Sequence, residues 1–265
     1  MKTERHYCTK CERKISANKM KKVWYSLLKK SAWHCNNCLS TAVDTMHILK
    51  PNKKQYLLEL FSGSKTVSTI AESLNYTTFS IDSEAKFKPS LVKDISKLSL
   101  KDIPGQKSIS IVWASIPCTQ YSILNLANHW DKIVYSHRKY YYIPKTKEAK
   151  QAAQLLEKTI WLINSINPDY YFIENPRGAL RHMPQIRFAP VRHEISYSDF
   201  GLDIYKPTDI FTNCQFLKLP KITRSVGISF PSSVIKMTNA YERSKVPSQL
   251  IQSILTQIQN HDNNL

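Results

Sequence analysis

Acidic residues and glycines are scarce in this chain. It holds 20 Asp and Glu against 38 Lys and Arg, and 5 glycines in 265 residues. The acid shortage leaves a formal charge of +18. Such an excess points to a polyanionic partner, because each phosphate contact releases condensed counterions. A compact basic protein can also carry charge simply to stay soluble. No apolar run approaches the length of a membrane span, so no membrane partner is expected. No signal-peptide core follows MKTERHYC, which gives a cytoplasmic expectation and reduced cysteines. Internal repeats and low-complexity tracts are absent as well.

What is present begins with cysteine spacing. Cys8 and Cys11 form one C-x-x-C pair and Cys35 and Cys38 another. Two such pairs can wrap four thiolates around one structural Zn²⁺. The surrounding segment is too small for a large core, so metal binding would supply much of its folding energy. Between the pairs, KKVWYSLLKKSAWH interleaves aromatics with lysines and could stack on bases while neutralising phosphates. Residues 1–48 are therefore expected to form a zinc-ribbon-like module, separated by HILKPNKKQ from a larger domain at 49–265.

In the larger domain QYLLELF, YTTFSID, SISIVWAS and YYFIEN read as strands. Between the last two, Ala149, Ala152, Ala153, Leu156, Ile160 and Ile163 share one helical face. Alternation of this kind predicts an α/β fold with a mostly parallel sheet and helices on both faces. Ligands in such sheets bind beyond the C-terminal strand ends. Ser62 and Gly63 follow the first strand, where glycine allows close backbone approach. Asp82 ends the second, where an acid can accept from ribose hydroxyls, and Asp94 suits an adenine amino group.

Cys118 follows Pro117 at the end of SISIVWAS, and Glu174 ends YYFIEN on the same side of the sheet. A thiolate and a carboxyl facing one substrate suggest covalent catalysis with acid assistance. A pyrimidine suits the pair: thiolate addition at C6, with the acid at N3, makes C5 nucleophilic. The acid's surroundings then have to desolvate it enough to keep a proton available.

These motifs resemble the cytosine-C5 DNA methyltransferase family, in its compact phage and mobile-element form. LELFSGSKTVS is similar to the family's S-adenosylmethionine-binding motif, IPCTQYS to its proline-cysteine motif, and IENPRG to its glutamate motif. YSDFGLDIYKPTDIFTN and YERSKVPSQLIQSI are similar to two later motifs, so the likeness spans about 56–258 in order. The resemblance implies a Rossmann-like methyltransferase fold and S-adenosylmethionine as cofactor. Phe61, Ser62, Gly63, Asp82, Asp94, Pro117 and Ser244 would touch that cofactor. Asn175, Arg177, Lys206 and Thr208 would touch the nucleic acid. The chain departs from the family at Lys65, where another glycine is usual, and at Ile116, where many members have a second proline.

A stacked cytosine is out of reach, so the target base would be flipped out of duplex DNA. The segment SILNLANHWDKIVYSHRKYYYIPK lacks helical periodicity and is expected to be a mobile loop over that base, with His137, Arg138 and Lys139 near phosphates. A short target-recognition segment is expected at about 214–240, and Cys214 is expected to be inert. The chain is expected to act as a monomer. Two rival readings stay open, a transfer-RNA cytosine-C5 methyltransferase and a catalytically inactive DNA-binding protein on the same scaffold.

Overall fold

A computed structural model describes residues 55–137, 140–202, 204–222 and 244–264 in full, with the backbone of Lys139 and of four short strands nearer the N-terminus. The chain divides into two compact units, Met1–Lys53 and Lys54–Leu265, a few residues beyond the boundary expected from the linker composition. In the first unit β1 (Arg5–Tyr7) pairs antiparallel with β2 (Lys14–Ser16), and β3 (Met20–Tyr25) pairs with β4 (Lys30–Cys35). Cys8 follows β1 directly, and Cys35 is the last residue of β4. The side chains of Cys8, Cys11, Cys35 and Cys38 lie outside the described residues. Among the described residues no group of three or more His, Cys, Asp or Glu is placed to hold a metal.

The second unit is built on a seven-stranded sheet. Its strands are β5 (Tyr56–Leu60), β6 (Thr77–Asp82), β7 (Leu91–Val92), β8 (Ile111–Ser115), β11 (Tyr170–Pro176), β12 (Val191–Ser196) and β13 (Pro207–Thr212). They lie in the order β12-β13-β11-β8-β5-β6-β7. From β7 through β11 every pairing is parallel, whereas β13 runs antiparallel to both its neighbours. The parallel part has the 3-2-1-4-5 arrangement of a doubly wound sheet, with its switch point between β5 and β8.

Alternation along the central strands feeds two cores. Leu58, Leu60, Val112, Ala114 and Ile173 face one side, covered by α2 (Lys147–Ile166) through Ala149, Ala152, Leu156 and Ile163. Leu57, Ile111, Trp113, Phe172 and Ile210 face the other. There α1 (Thr66–Ser73) contributes Val67 and Ala71, and α3 (Ser248–Asn263) contributes Leu250, Ile251, Ile254, Leu255 and Ile258. The helical face read at Ala149–Ile163 is thus the buried stripe of α2, with Ala153 and Ile160 half-buried at its margins. Among the described residues no helix is long and apolar enough to cross a membrane.

One segment departs from expectation. The stretch after Cys118 forms an antiparallel ribbon, β9 (Trp130–Ser136) with β10 (Lys139–Pro144), in place of a loop. Its Trp, Ile, Val and Tyr content favours extended, paired backbone, and a bulge at Lys139/Tyr140 offsets the register.

Candidate active site

The cleft opens where a doubly wound sheet places ligands, beyond the C-terminal ends of β5, β8 and β11. Its walls include Glu59 from β5, Phe61, Ser62, Gly63 and Ser64 from the turn after it, and Ser115, Ile116, Pro117 and Cys118 at and beyond the end of β8. Glu174 and Pro176 come from β11, with Lys206, Ser244 and Val246 closing the rim. Phe61, Ser62, Gly63, Pro117, Cys118, Glu174, Lys206 and Ser244, candidate site residues from sequence, line this one cleft.

The turn after β5 is unusual in its backbone. Phe61 (φ 59°), Gly63 (φ 45°) and Lys65 (φ 59°) all occupy the left-handed region. Lys65 therefore holds a conformation that glycine adopts freely and other residues adopt at a cost on the order of 1 kcal/mol. A Cβ built on Gly63 would meet nothing within 4 Å, so open space adjoins the turn. Ser62 is buried, and its Oγ has no hydrogen-bond partner. An orphan hydroxyl beside vacant space is a feature that a polar ligand satisfies. Asp82 holds the turn from behind, its Oδ2 accepting from the Gly63 amide at 2.8 Å and its Oδ1 from Glu84 at 2.9 Å. A carboxylate retains acceptor capacity beyond those two bonds, enough for a ribose. Asp94 stands apart: exposed, it caps the turn Ile95–Lys97 by accepting from the Ser96 amide at 2.8 Å. That amide is the main reason its carboxyl titrates below the ordinary range.

Glu59 is a member of the cleft that sequence reading passed over. It is buried, and its Oε2 accepts from the Ser68 amide at 2.9 Å and from the Ser68 hydroxyl. Burial pushes its pKa up to about 7, against the pull of those donors. Only its position at the end of a buried strand could have signalled this.

Cys118 sits in an exposed position at the lip, yet enough protein surrounds the sulfur to strip its hydration. Burial is the main cause that raises its pKa, Lys206 pulls it down, and Glu174 adds to the rise. Lys206 is thus the cation that favours the thiolate, and its Nζ lies 4.4 Å from the centroid of the Tyr197 ring. Tyr197, another residue that sequence reading missed, is fully buried and donates its hydroxyl hydrogen to Glu174 Oε1 at 2.7 Å. Burial above all, and then that carboxyl group, hold the phenol well above its usual pKa. Thr208, also buried, donates to the Lys206 carbonyl at 3.2 Å and fixes the backbone under that lysine.

A loop bears the thiol and the end of β11 bears the carboxyl, and the two are stitched together. Asn175 is fully buried, and its Nδ2 donates to the Ile116 carbonyl at 2.8 Å. Its side-chain amide therefore ties the Cys118 loop to β11, and its nitrogen points into protein. Gly178 bridges Ser122, and the next amide, of Ala179, donates to the Tyr121 carbonyl at 2.8 Å. A Cβ on Gly178 would come within 2.1 Å of the Tyr121 oxygen, so the approach requires glycine. Arg177 turns away from the cleft to Glu194 at 2.9 Å, and Arg181 pairs with the buried Asp209 at 2.8 Å. Arg138 and the Lys139 side chain lie outside the described residues.

No family model matches this chain, and no curated protein matches it. Among solved structures it is similar to a putative DNA modification methyltransferase encoded within an E. coli prophage, at 17% identity and a TM-score of 0.41, over 60% of this chain and 46% of that one. It is also similar to the Entamoeba histolytica methyltransferase EhMeth, at 18% and 0.41, over 60% of this chain and 52% of that one. Spodoptera frugiperda DNMT2 follows at 16% and 0.40, over 66% and 56%. The chain spans about half the length of these structures.

The two cysteines of the second unit are expected to alkylate differently. Cys214 is buried, with its pKa pushed up to about 11 by that burial, and serves as the internal control. Iodoacetamide labelling of Cys118 rises only as pH passes above the ordinary thiol range. Lys206→Met moves the midpoint of that rise upward, since the ammonium that favours the thiolate is gone. Mass spectrometry of tryptic peptides across pH checks this, and a midpoint that stays put or falls contradicts it.

Proposed function

We propose that this chain transfers a methyl group from S-adenosylmethionine to C5 of cytosine in a nucleic acid, with duplex DNA as the substrate. The observation that carries the reading is the convergence of Cys118 and Glu174, from the ends of adjacent parallel strands, on a cleft whose other end is the strained Phe61–Lys65 turn. The donor set fits a nucleoside cofactor: the orphan Ser62 hydroxyl, the open space at Gly63, and the Asp82 carboxylate behind the turn. When bound, S-adenosylmethionine supplies an electrophilic methyl group.

The chain's own residues then do the following. Cys118, deprotonated beside Lys206, adds its sulfur to C6 of the flipped base and forms a thioether. Glu174 holds a proton at N3, so the electron pair displaced from the C5–C6 bond gathers at C5. Tyr197 occupies Glu174 Oε1, which leaves Oε2 to meet the ring. Once C5 carries the methyl group, loss of its hydrogen as a proton restores the double bond and expels the thiolate. The net change exchanges one C–H for one C–CH₃ and releases one proton. The stitched loop and strand contribute by holding thiol and carboxyl in fixed register, which is where most positional catalysis resides.

Residues 1–48 are assigned to one Zn²⁺ held by Cys8, Cys11, Cys35 and Cys38, four soft thiolates in two C-x-x-C pairs. Purified full-length chain is expected to carry about one zinc per molecule by mass-spectrometric metal analysis, lost on Cys8→Ser with Cys35→Ser. Metal-free wild-type chain contradicts the assignment.

Transfer is tested with labelled methyl donor on duplex DNA and on transfer RNA side by side. Wild-type chain is expected to label the duplex, and Cys118→Ser to fall to background. Tyr197→Phe leaves Glu174 without its donor and is expected to lower kcat roughly ten- to hundredfold, with an altered pH profile. Labelling of transfer RNA alone supports the RNA reading. Wild-type DNA binding without labelling of either supports the inactive scaffold.

A further inference from the structure

The expected recognition segment begins with residues that are spoken for. Cys214 and Leu217 are buried in the core beside α3. Phe216 stacks on His261 at 3.7 Å, and Lys218 exchanges two hydrogen bonds with Gln257. Those residues hold the C-terminal helix, and residues 223–240 of the segment lie outside the described residues; among the described residues the β9–β10 ribbon has surface to spare.

Its base is fixed to both catalytic loops. The Trp130 indole donates to the carbonyl of Gln120, two residues beyond Cys118, at 2.7 Å and stacks on Tyr121 at 5.3 Å. From β10, Tyr140 stacks on His182 at 4.4 Å, and Tyr142 meets the same ring edge-on at 5.9 Å. His182 belongs to the turn that follows Gly178 and the Glu174 strand. Lys132, opposite Tyr142 in the ladder, lies over the Tyr140 ring at 4.0 Å. One ribbon face is thereby docked on the body of the protein.

The other face carries Asp131, Ile133, Tyr135, Tyr141 and Ile143, for Ile133 pairs with Tyr141 and Asp131 with Ile143. Its far end meets the body, where Tyr135 packs on Tyr141 at 5.9 Å and accepts from Arg187 at 3.5 Å, while Asp131 and Ile143 near the base are exposed. Neither isoleucine belongs to a core cluster, and Ile143 is 41% exposed. Around it the charge is one-sided: Lys132, Arg138, Lys139, Lys145 and Lys147 against Asp131 alone between His129 and Lys147.

We propose that the exposed Asp131–Ile143 end of this face reads the duplex beside the target cytosine from the major groove. The inference rests on the methyl-transfer reading and adds where recognition takes place. A B-form major groove admits a two-stranded ribbon, whereas the deep, narrow major groove of A-form RNA does not. The side chains suit its code: a carboxylate accepts from cytosine N4, and isoleucine contacts the thymine methyl group. The flanking cations neutralise the phosphates on either side.

The test uses full-length chain and a duplex library with a fixed central cytosine and randomised flanks, sequenced after bisulfite conversion. Wild-type chain is expected to show flank preferences. Asp131→Asn and Ile143→Ser, each changing one exposed side chain, are expected to flatten the preference at one or two flanking positions by about tenfold and to leave the others. Their thermal melts are compared with wild type, and a variant that does not fold is replaced by Asp131→Ala or Ile143→Thr. An unchanged flank profile in folded variants overturns the ribbon's role while the methyl-transfer reading stands. Wild-type chain that protects no duplex cytosine from bisulfite overturns both, and the wild-type arm alone tells the two failures apart.

Discussion

The arrangement depends on one buried hydrogen bond, from the Asn175 amide to the Ile116 carbonyl. Both groups are out of water, so losing either partner strands the other at a cost of about 1–3 kcal/mol. The bond crosses from the strand bearing Glu174 to the loop bearing Cys118 and sets one against the other. The Ser122–Gly178 bridge and the Ala179 amide repeat the same tie a few residues further along. With loop and strand locked at two points, neither the thiol nor the carboxyl has to be ordered when substrate arrives.

Charge within the cleft is arranged around that frame. Burial works against ionisation of Cys118, and Glu174 adds to the opposition, so among the described side chains it is Lys206 that favours the reactive form. Tyr197 is neutral and lies between Lys206 and Glu174, contacting the first with its ring and the second with its hydroxyl.

Sequence showed the strands, the stripe of α2 and the cysteine and glutamate at neighbouring strand ends, because each is a local pattern: a short apolar run, a helical period, a residue following a strand. What it hid is non-local. Tyr197 meets a partner 23 residues away, and Asn175 one that is 59 residues away, and no local pattern announces either bond. Asn175 stood in sequence as a nucleic-acid contact, and the fold turns its amide nitrogen inward to Ile116. Three consecutive tyrosines and a bulge erased the alternation that would have revealed β10, so the ribbon passed for a loop. Lys65 stands where the resembled family usually has glycine, and the chain accepts a left-handed lysine there.

The account's central claim is a transient bond between the sulfur of Cys118 and C6 of cytosine. An oligonucleotide duplex containing 5-fluorocytosine blocks the final proton loss and tests that bond directly when incubated with the chain and S-adenosylmethionine. The account predicts a denaturation-resistant adduct whose tryptic peptide carries the nucleotide on Cys118. Intact, unmodified Cys118 after methyl donor and fluorinated duplex have both been supplied would contradict it.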